Sequence, residues 1–188
     1  MIDIINDHID KGKSVHIKKA VQPFGWDVVV KHLRECADEK YAGTPNGILS
    51  YQLNQAEEVE EVKRVIDYLN EDLSLKIFDA HIFVSFTTRT EKKAHTDNHN
   101  VLIWAISDNM EIDLFDTNDS EEPFYSDNFN KGDMVFIPAD MSHRINPTGE
   151  RALVSFGIEV QEGVRYNSPI DNPYIKKEQG KNESSQED

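Results

Sequence analysis

Cysteine and long apolar runs are both scarce in this chain. Cys36 is the only cysteine, so the chain cannot form an internal disulfide, and a reducing compartment is the simpler expectation. No segment approaches the roughly 18–20 consecutive apolar residues of a membrane span. Residues 1–10 carry acids but lack the basic start of a secretory signal peptide. These absences predict a soluble, cytoplasmic protein with no membrane partner.

Basic residues are few compared with acidic ones. Lysine and arginine number 20 and aspartate and glutamate number 35, which gives a formal net charge of −15 at pH 7. A negative field of this size repels nucleic-acid phosphates, so nucleic acid is an unfavourable partner. Such a surface is typical of a well-solvated protein, and it would also attract a basic protein or peptide.

The 188 residues, with 38% hydrophobic and 29% charged side chains, fit one globular domain. We predict that this domain covers residues 1–170, with helices and short strands over 1–77 as a cover and a β-rich core over 78–160. Short apolar segments without helical periodicity fill the core, which favours an antiparallel sandwich or barrel. Residues 171–188 are rich in Lys, Glu, Ser and Gln and are predicted to be disordered.

The cover contains two segments with helical spacing of apolar residues. The first begins near Trp26 and continues through Val29 and Leu33. The second is expected to begin at Asn54 as the N-cap, with Val62 and Leu69 on its apolar stripe.

Two histidines and one aspartate in the core form a candidate metal site. His95 and Asp97 are two residues apart, so on an extended segment their side chains point to the same side. His143 follows Asp97 by 46 residues, just after a predicted strand that ends at Pro138. Two imidazoles and one carboxylate form the facial triad that binds Fe(II) and leaves coordination positions open, although Mn, Co, Ni or Zn would also accept these ligands. Neither half of the pattern is specific when taken alone.

The wider pattern resembles the cupin superfamily. Gly132, Pro138 and His143 have the spacing of its second motif, although Asp140 stands where that motif usually has glycine. His95 and Asp97 resemble the first motif in the His-x-Asp form of JmjC-like and related Fe(II)/2-oxoglutarate oxygenases. The resemblance covers roughly residues 13–160. It implies a mainly β fold with flanking helices, a double-stranded β-helix of the cupin or jelly-roll type. It also implies a non-haem dioxygenase that uses Fe(II), 2-oxoglutarate and O₂, with no catalytic residue beyond the metal ligands.

The far carboxylate of 2-oxoglutarate requires a cationic partner, and a bidentate arginine is the natural one. JmjC-type enzymes usually carry a basic residue on the strand after the His-x-Asp segment, but residues 108–114 contain neither Lys nor Arg. Oxygenases similar to the prolyl hydroxylases place an arginine on the last core strand instead. Arg151 follows His143 by eight residues, whereas that branch has its arginine about nine to eleven residues after the distal histidine. Ser155 shares the strand face of Arg151 by parity, although that branch usually has its serine at the position of Leu153. We therefore predict Arg151 and Ser155 as the 2-oxoglutarate-binding residues.

Two further residues are predicted to lie near the metal, namely His99, which would orient Asp97, and Asn146. The other histidines, including His16 and His81, are interpreted as structural.

Three functions fit these observations. The first is an Fe(II)/2-oxoglutarate-dependent hydroxylase whose substrate could be a protein side chain. The second is a cupin metalloenzyme without 2-oxoglutarate, such as an O₂-dependent dioxygenase or an isomerase, which the lack of a basic residue near Met110 favours. The third is a ligand-binding cupin without turnover.

Overall fold

The computed structural model describes residues 1–38, 49–88 and 93–161, and the predicted disordered tail lies outside these ranges. The three α-helices of these ranges are α1 (Ile2–Lys11), α2 (Trp26–Asp38) and α3 (Glu60–Asp72), with a short 3₁₀ helix at Ala56–Glu58 before α3. The strands are β1 (Val15–Ile17), β2 (Ser50–Leu53), β3 (Ile77–Ser85), β4 (Asn100–Ala105), β5 (Met110–Phe115), β6 (Tyr125–Phe129), β7 (Met134–Ile137), β8 (Ser142–Pro147) and β9 (Arg151–Ile158). Within the described ranges, no helix combines the length and apolarity required to cross a bilayer.

The strands form two antiparallel sheets. The large sheet has the order β1-β7-β4-β9-β3-β2, and the small sheet has the order β6-β5-β8. His95 extends the small sheet because it forms a β-bridge with His143 on β8. From β3 onward the chain passes repeatedly between the two sheets, which is the winding of a double-stranded β-helix. The predicted fold is therefore confirmed, and the N-terminal region adds β1 and β2 to the edges of the large sheet.

The large sheet has two faces with different surroundings. On β9 the residues Ala152, Val154 and Phe156 pack into an apolar core together with residues of the helices. Arg151 and Ser155 alternate with them and face the opposite way, into the space between the sheets. Because the side chains alternate, one face of β9 packs into the apolar core and the other face is available to form a site.

The helices cover the outer face of the large sheet, and two of them differ from expectation. α1 was not predicted, but Ile2, Ile5 and Ile9 recur at helical spacing and are buried. Left-handed Gly12 (φ 59°) ends this helix. The helix expected from Asn54 begins later, because the extended backbone of Val59 separates the 3₁₀ helix from α3.

Candidate metal centre

The three predicted metal ligands lie together in the structure. His95, Asp97 and His143 each offer one ligand atom within 4.8 Å of the others. Nε2 of His143 lies 3.5 Å from Oδ2 of Asp97, and the two imidazole rings have centroids 4.5 Å apart. The fold therefore brings together residues that are far apart in sequence.

Backbone hydrogen bonds hold the His95 segment against β8. The N–H of His95 donates to the carbonyl of His143 at 3.1 Å, and the N–H of His143 donates back at 2.9 Å. The N–H of Asp140 donates to the carbonyl of Asp97 at 2.8 Å. Asp140 is left-handed (φ 63°), which explains why the cupin motif usually has glycine there. Aspartate is among the few other residues that tolerate this conformation.

The two histidines differ in their hydrogen bonding. His143 is buried, and its Nδ1 lies 3.1 Å from the carbonyl oxygen of Met141. A proton on Nδ1 satisfies that carbonyl and leaves Nε2 as the unprotonated, metal-binding nitrogen on the side of Asp97. The buried Nδ1 of His95 has no hydrogen-bond partner among the described residues, so no structural hydrogen bond holds that nitrogen.

The arrangement fits a divalent metal ion. Ligand atoms about 2.1 Å from a metal and at right angles to each other are about 3 Å apart. The 3.5 Å between His143 and Asp97 is close to that value, and all three ligand atoms lie within 4.8 Å of one another. His95 and His143 belong to the small-sheet side, and all three candidate ligands line the pocket, so a metal ion held by them would lie beside that pocket. The donor set suits Fe(II) and also accommodates Mn, Co, Ni or Zn.

Arg151 is the cation of this pocket. It begins β9 and lines the same pocket as the three ligands, on the inner face of the large sheet. Burial lowers the pKa of Arg151 to about 10, so the guanidinium remains charged at neutral pH. Its Nη1 donates a long hydrogen bond of 3.4 Å to the carbonyl of Ile145, and no acidic residue in the described ranges forms an ion pair with it. A desolvated cation without a counter-charge favours the binding of an anion.

Ser155 lines the same pocket but at a different level. Four residues of strand separate it from Arg151, which is about 13 Å along β9. Its neighbour across the sheet is His81 on β3. Ser155 therefore lies closer to His81 than to the backbone of Arg151, and its role in binding 2-oxoglutarate stays a prediction.

The structure separates the two remaining predicted residues. His99 lines the pocket, where its Nδ1 lies 3.0 Å from Oδ1 of Asn98, and no hydrogen bond joins it to Asp97 in the described part of the chain. Asn146 is not brought to the metal ligands. It is three residues after His143 on β8, which places it on the opposite face, and its amide donates to Asp113 outside the pocket.

The sequence prediction missed two ionisable residues of the pocket. His81 was interpreted as structural, but it lines the pocket together with Asp79, whose Oδ2 lies 3.5 Å from Nε2 of His81. Ala80 and Ile82 alternate with them and are buried in the apolar core. This alternation of polar and apolar residues over β3 was the signal that could have identified an inner face.

Comparison with known proteins supports this fold. No protein-family model matches the sequence, and a search of curated proteins gives no match. Among solved structures, the Escherichia coli ribosomal oxygenase YcfD matches with a TM-score of 0.64 at 14% identity, over 84% of this chain and 51% of YcfD. The structure of YcfD in complex with cobalt and 2-oxoglutarate also matches with a TM-score of 0.64, at 16% identity, over 84% of this chain and 52% of YcfD.

A second kind of neighbour has a length closer to that of this chain. SnoK, a non-haem α-ketoglutarate-dependent carbocyclase from nogalamycin biosynthesis, matches with a TM-score of 0.60 at 12% identity, over 85% of this chain and 84% of SnoK. The chain thus spans about half the length of YcfD and most of SnoK. These likenesses support the fold, a double-stranded β-helix.

Proposed function

We propose that the chain is an Fe(II)- and 2-oxoglutarate-dependent dioxygenase that hydroxylates its substrate. One observation carries this proposal: an unpaired, desolvated Arg151 lies in the same pocket as the cluster of His95, Asp97 and His143. A metal with open positions and a nearby cation together suit a co-substrate that is a chelating dicarboxylate.

Each residue has a distinct role in this reaction. His95, Asp97 and His143 would hold the metal, and the carbonyl of Met141 keeps His143 in the tautomer that can bind it. Arg151 would bind the far carboxylate of 2-oxoglutarate. Bound Fe(II) and 2-oxoglutarate supply the chemistry that converts O₂ and the co-substrate to succinate and CO₂ while one oxygen atom enters a substrate C–H bond. Ile103 and Leu153 form apolar walls that limit the access of water.

The structural neighbours support the co-substrate and the metal. YcfD has been solved with cobalt together with 2-oxoglutarate and with succinic acid, and SnoK is α-ketoglutarate-dependent. YcfD is a ribosomal oxygenase, and the net charge of −15 on this chain also favours a basic protein or peptide as the substrate over a nucleic acid. The cytoplasmic location stays a prediction that rests on the single cysteine.

One observation keeps the second candidate function in view. The inward residues of β5, Met110, Ile112 and Leu114, are buried and apolar, so this strand supplies no cation to the pocket. Binding of 2-oxoglutarate therefore depends on Arg151. If the protein does not bind 2-oxoglutarate at all, a cupin metalloenzyme that does not use 2-oxoglutarate becomes the favoured candidate.

The test is succinate formation by Fe(II)-loaded protein in the presence of O₂ and 2-oxoglutarate. We expect succinate from the wild-type protein, a strongly raised half-saturating concentration of 2-oxoglutarate in Arg151→Ala, and no change in Arg64→Ala. Arg64 is a suitable control because it is an exposed arginine on α3. Protein that binds iron but forms no succinate at any 2-oxoglutarate concentration would overturn the proposed function and leave the cupin metalloenzyme without 2-oxoglutarate and the ligand-binding cupin as the candidates.

A further inference from the structure

The mouth of the pocket carries a second recognition element, made by Phe78 and Asp79. We infer that these two residues bind a cationic group, an ammonium or a guanidinium, on the primary substrate. The inference rests on the proposed function because it takes this pocket to be the active site.

A β-bulge places the two side chains together. Ile77 pairs with Ile158 and Asp79 pairs with Gly157, so Phe78 is an extra residue between two consecutive residues of β9. At such a bulge two successive side chains need not point to opposite faces. Both side chains lie over Gly157, because a Cβ at residue 157 would collide with the carboxylate of Asp79 and lie 2.8 Å from Cζ of Phe78. Glycine at this position therefore makes room for the pair.

Asp79 retains capacity to accept hydrogen bonds from a ligand. Its Oδ1 accepts the N–H of Gly157 at 3.1 Å, which fixes the carboxylate at the pocket wall. Its Oδ2 lies 3.5 Å from Nε2 of His81, and no lysine or arginine in the described ranges forms an ion pair with it. The side chain is 38% exposed, so a cation can reach it from solvent. An ionised carboxylate accepts up to about four hydrogen bonds, so Oδ2 can serve a donor-rich group.

Phe78 supplies an aromatic surface beside that carboxylate. Its ring is 55% exposed and makes an edge-on contact with His99, with the ring centroids 5.4 Å apart. Isolated exposed phenylalanines are ordinary, but this one borders the pocket residues His99 and Gly157. A cation held by Asp79 would lie near the ring, where its attraction to the aromatic face adds to the ion pair.

The charges of the pocket are arranged with opposite signs at its two ends. Arg151 and Gly157 are six residues apart on β9, which places the backbone of Arg151 about 20 Å from that of Gly157, beside which Asp79 lies. An anionic co-substrate near Arg151 and a cationic substrate group near Asp79 would each meet a group of opposite charge. The net charge of −15 would also favour the approach of a cation.

The test measures binding without turnover, using protein loaded with Mn(II) in place of iron. The paramagnetic ion accelerates the relaxation of protons on any molecule that occupies the pocket, so NMR relaxation reports probe affinity and proximity to the metal. The probes are agmatine, N-acetyl-arginine amide and N-acetyl-lysine amide, with neutral N-acetyl-citrulline amide as the isosteric comparison. Agmatine carries the cation without a peptide, so it separates a small amine from a polypeptide side chain as the source of the group.

Three variants make the test specific. Asp79→Asn keeps an oxygen that accepts the N–H of Gly157. We expect it to weaken the binding of the cationic probes about three- to tenfold, with little effect on the binding of citrulline amide. Phe78→Leu keeps an apolar side chain at this position but removes the aromatic ring, and we expect it to weaken the binding of the cationic probes about two- to fivefold. Glu57→Gln removes one exposed carboxylate from the 3₁₀ helix and should leave binding unchanged.

The outcomes separate this inference from the proposed function. Equal binding of arginine and citrulline amides, or an undiminished affinity in Asp79→Asn, would overturn the inference. If selective binding of the cationic probes accompanies a failure to form succinate from 2-oxoglutarate, the cation site stands and the proposed function fails. Each variant is also loaded with Mn(II) and its metal affinity measured, so a misfolded pocket is recognised by loss of the metal.

Discussion

Two clusters of histidine and carboxylate lie in different parts of this fold, and they differ in where their polar atoms point. The first is the metal centre of His95, Asp97 and His143. The second, which we call the His16 cluster, consists of His16, Asp133, Tyr125, Asp127 and Lys18, and it joins β1 to β6 and β7.

Every polar atom of His16 has a protein partner. Its Nδ1 lies 3.0 Å from the hydroxyl of Tyr125, and its Nε2 lies 3.2 Å from Oδ2 of Asp133. Asp133 also accepts the backbone N–H groups of Lys19 and Asn130. The side chain of His16 is fully buried, so these contacts stabilise the fold and leave nothing for a ligand.

The metal centre has the same residue types in the opposite arrangement. Its ligand atoms converge on one point at the pocket wall, and Nδ1 of His95 has no hydrogen-bond partner among the described residues. Residue type and burial therefore do not distinguish a structural histidine from a functional one. The distinction is whether the polar atoms are directed at each other or at a shared space.

The largest expected effect comes from removing a metal ligand. His143→Ala should reduce Fe(II) affinity by more than about 100-fold, because even residues that only orient ligands contribute about 10–100-fold. His16→Ala should leave Fe(II) affinity unchanged. Anaerobic titration with Fe(II) measures the affinity of both variants. An equal loss of Fe(II) affinity in the two variants would show that the two clusters do not differ in metal binding.

The next effect concerns the anion site. Arg151→Ala should weaken 2-oxoglutarate binding by about 30- to 1,000-fold, the range for loss of one partner of a buried charge pair. Arg151→Lys should restore part of this affinity, since it keeps the charge but loses the bidentate geometry. Calorimetric titration of Mn(II)-loaded protein gives the dissociation constants. Unchanged affinity in Arg151→Ala would show that another group holds the co-substrate.

A smaller effect is expected on the stability of the fold, and it concerns the His16 cluster. His16→Ala removes one hydrogen-bond partner from the buried carboxylate of Asp133 and one from the hydroxyl of Tyr125, and it should lower the free energy of unfolding by about 2 kcal/mol. His95→Ala, in the absence of metal, should cost less, because Nδ1 of His95 has no protein hydrogen bond to lose. Urea unfolding of the metal-free variants compares the two free energies of unfolding directly. A larger loss of stability in His95→Ala than in His16→Ala would contradict the expected difference between the clusters.

The smallest effect is a dependence of stability on acid pH. Burial alone would raise the pKa of Asp133, but hydrogen bonds from His16 and from the N–H groups of Lys19 and Asn130 outweigh it and hold the pKa below the ordinary 3.8. A lowered pKa in the folded state means that the stabilisation is complete above the unfolded value and is lost as the pH falls through the folded value. Asp133→Asn should therefore flatten the decline of thermal stability below about pH 4. A decline as steep as in the wild type would show that other carboxylates cause it.

Local spacing predicted the ligands and the barrel only together with the resemblance to the cupin superfamily. Residues two apart on an extended segment share a side, and the Gly132, Pro138 and His143 pattern marks the strand and turn before the third ligand. The same parity places Arg151 and Ser155 on one face of a strand, and the structure shows that this face lines the pocket. These features are all encoded within short stretches of chain.

Features that depend on which strands pair were harder to predict. Asp79 and His81 join the pocket because β3 pairs with β9, and the bulge at Phe78 is visible only in that register. Asn146 was expected near the metal because it follows His143 closely, but its position on the strand turns it away. The late start of α3 reflects an extended Val59 that no local sequence signal marked.

The most direct measurement is an anaerobic titration with Fe(II) followed by 2-oxoglutarate, monitored by visible absorption. Chelation of the metal by the keto acid should produce a weak metal-to-ligand charge-transfer band in the wild-type protein. We expect His95→Ala to show no band at any 2-oxoglutarate concentration. Arg151→Ala should show the band only at much higher 2-oxoglutarate concentrations than the wild type. His16→Ala should show the same band as the wild type. Iron binding without a band in the wild type would contradict the assignment of this pocket to a 2-oxoglutarate-dependent oxygenase.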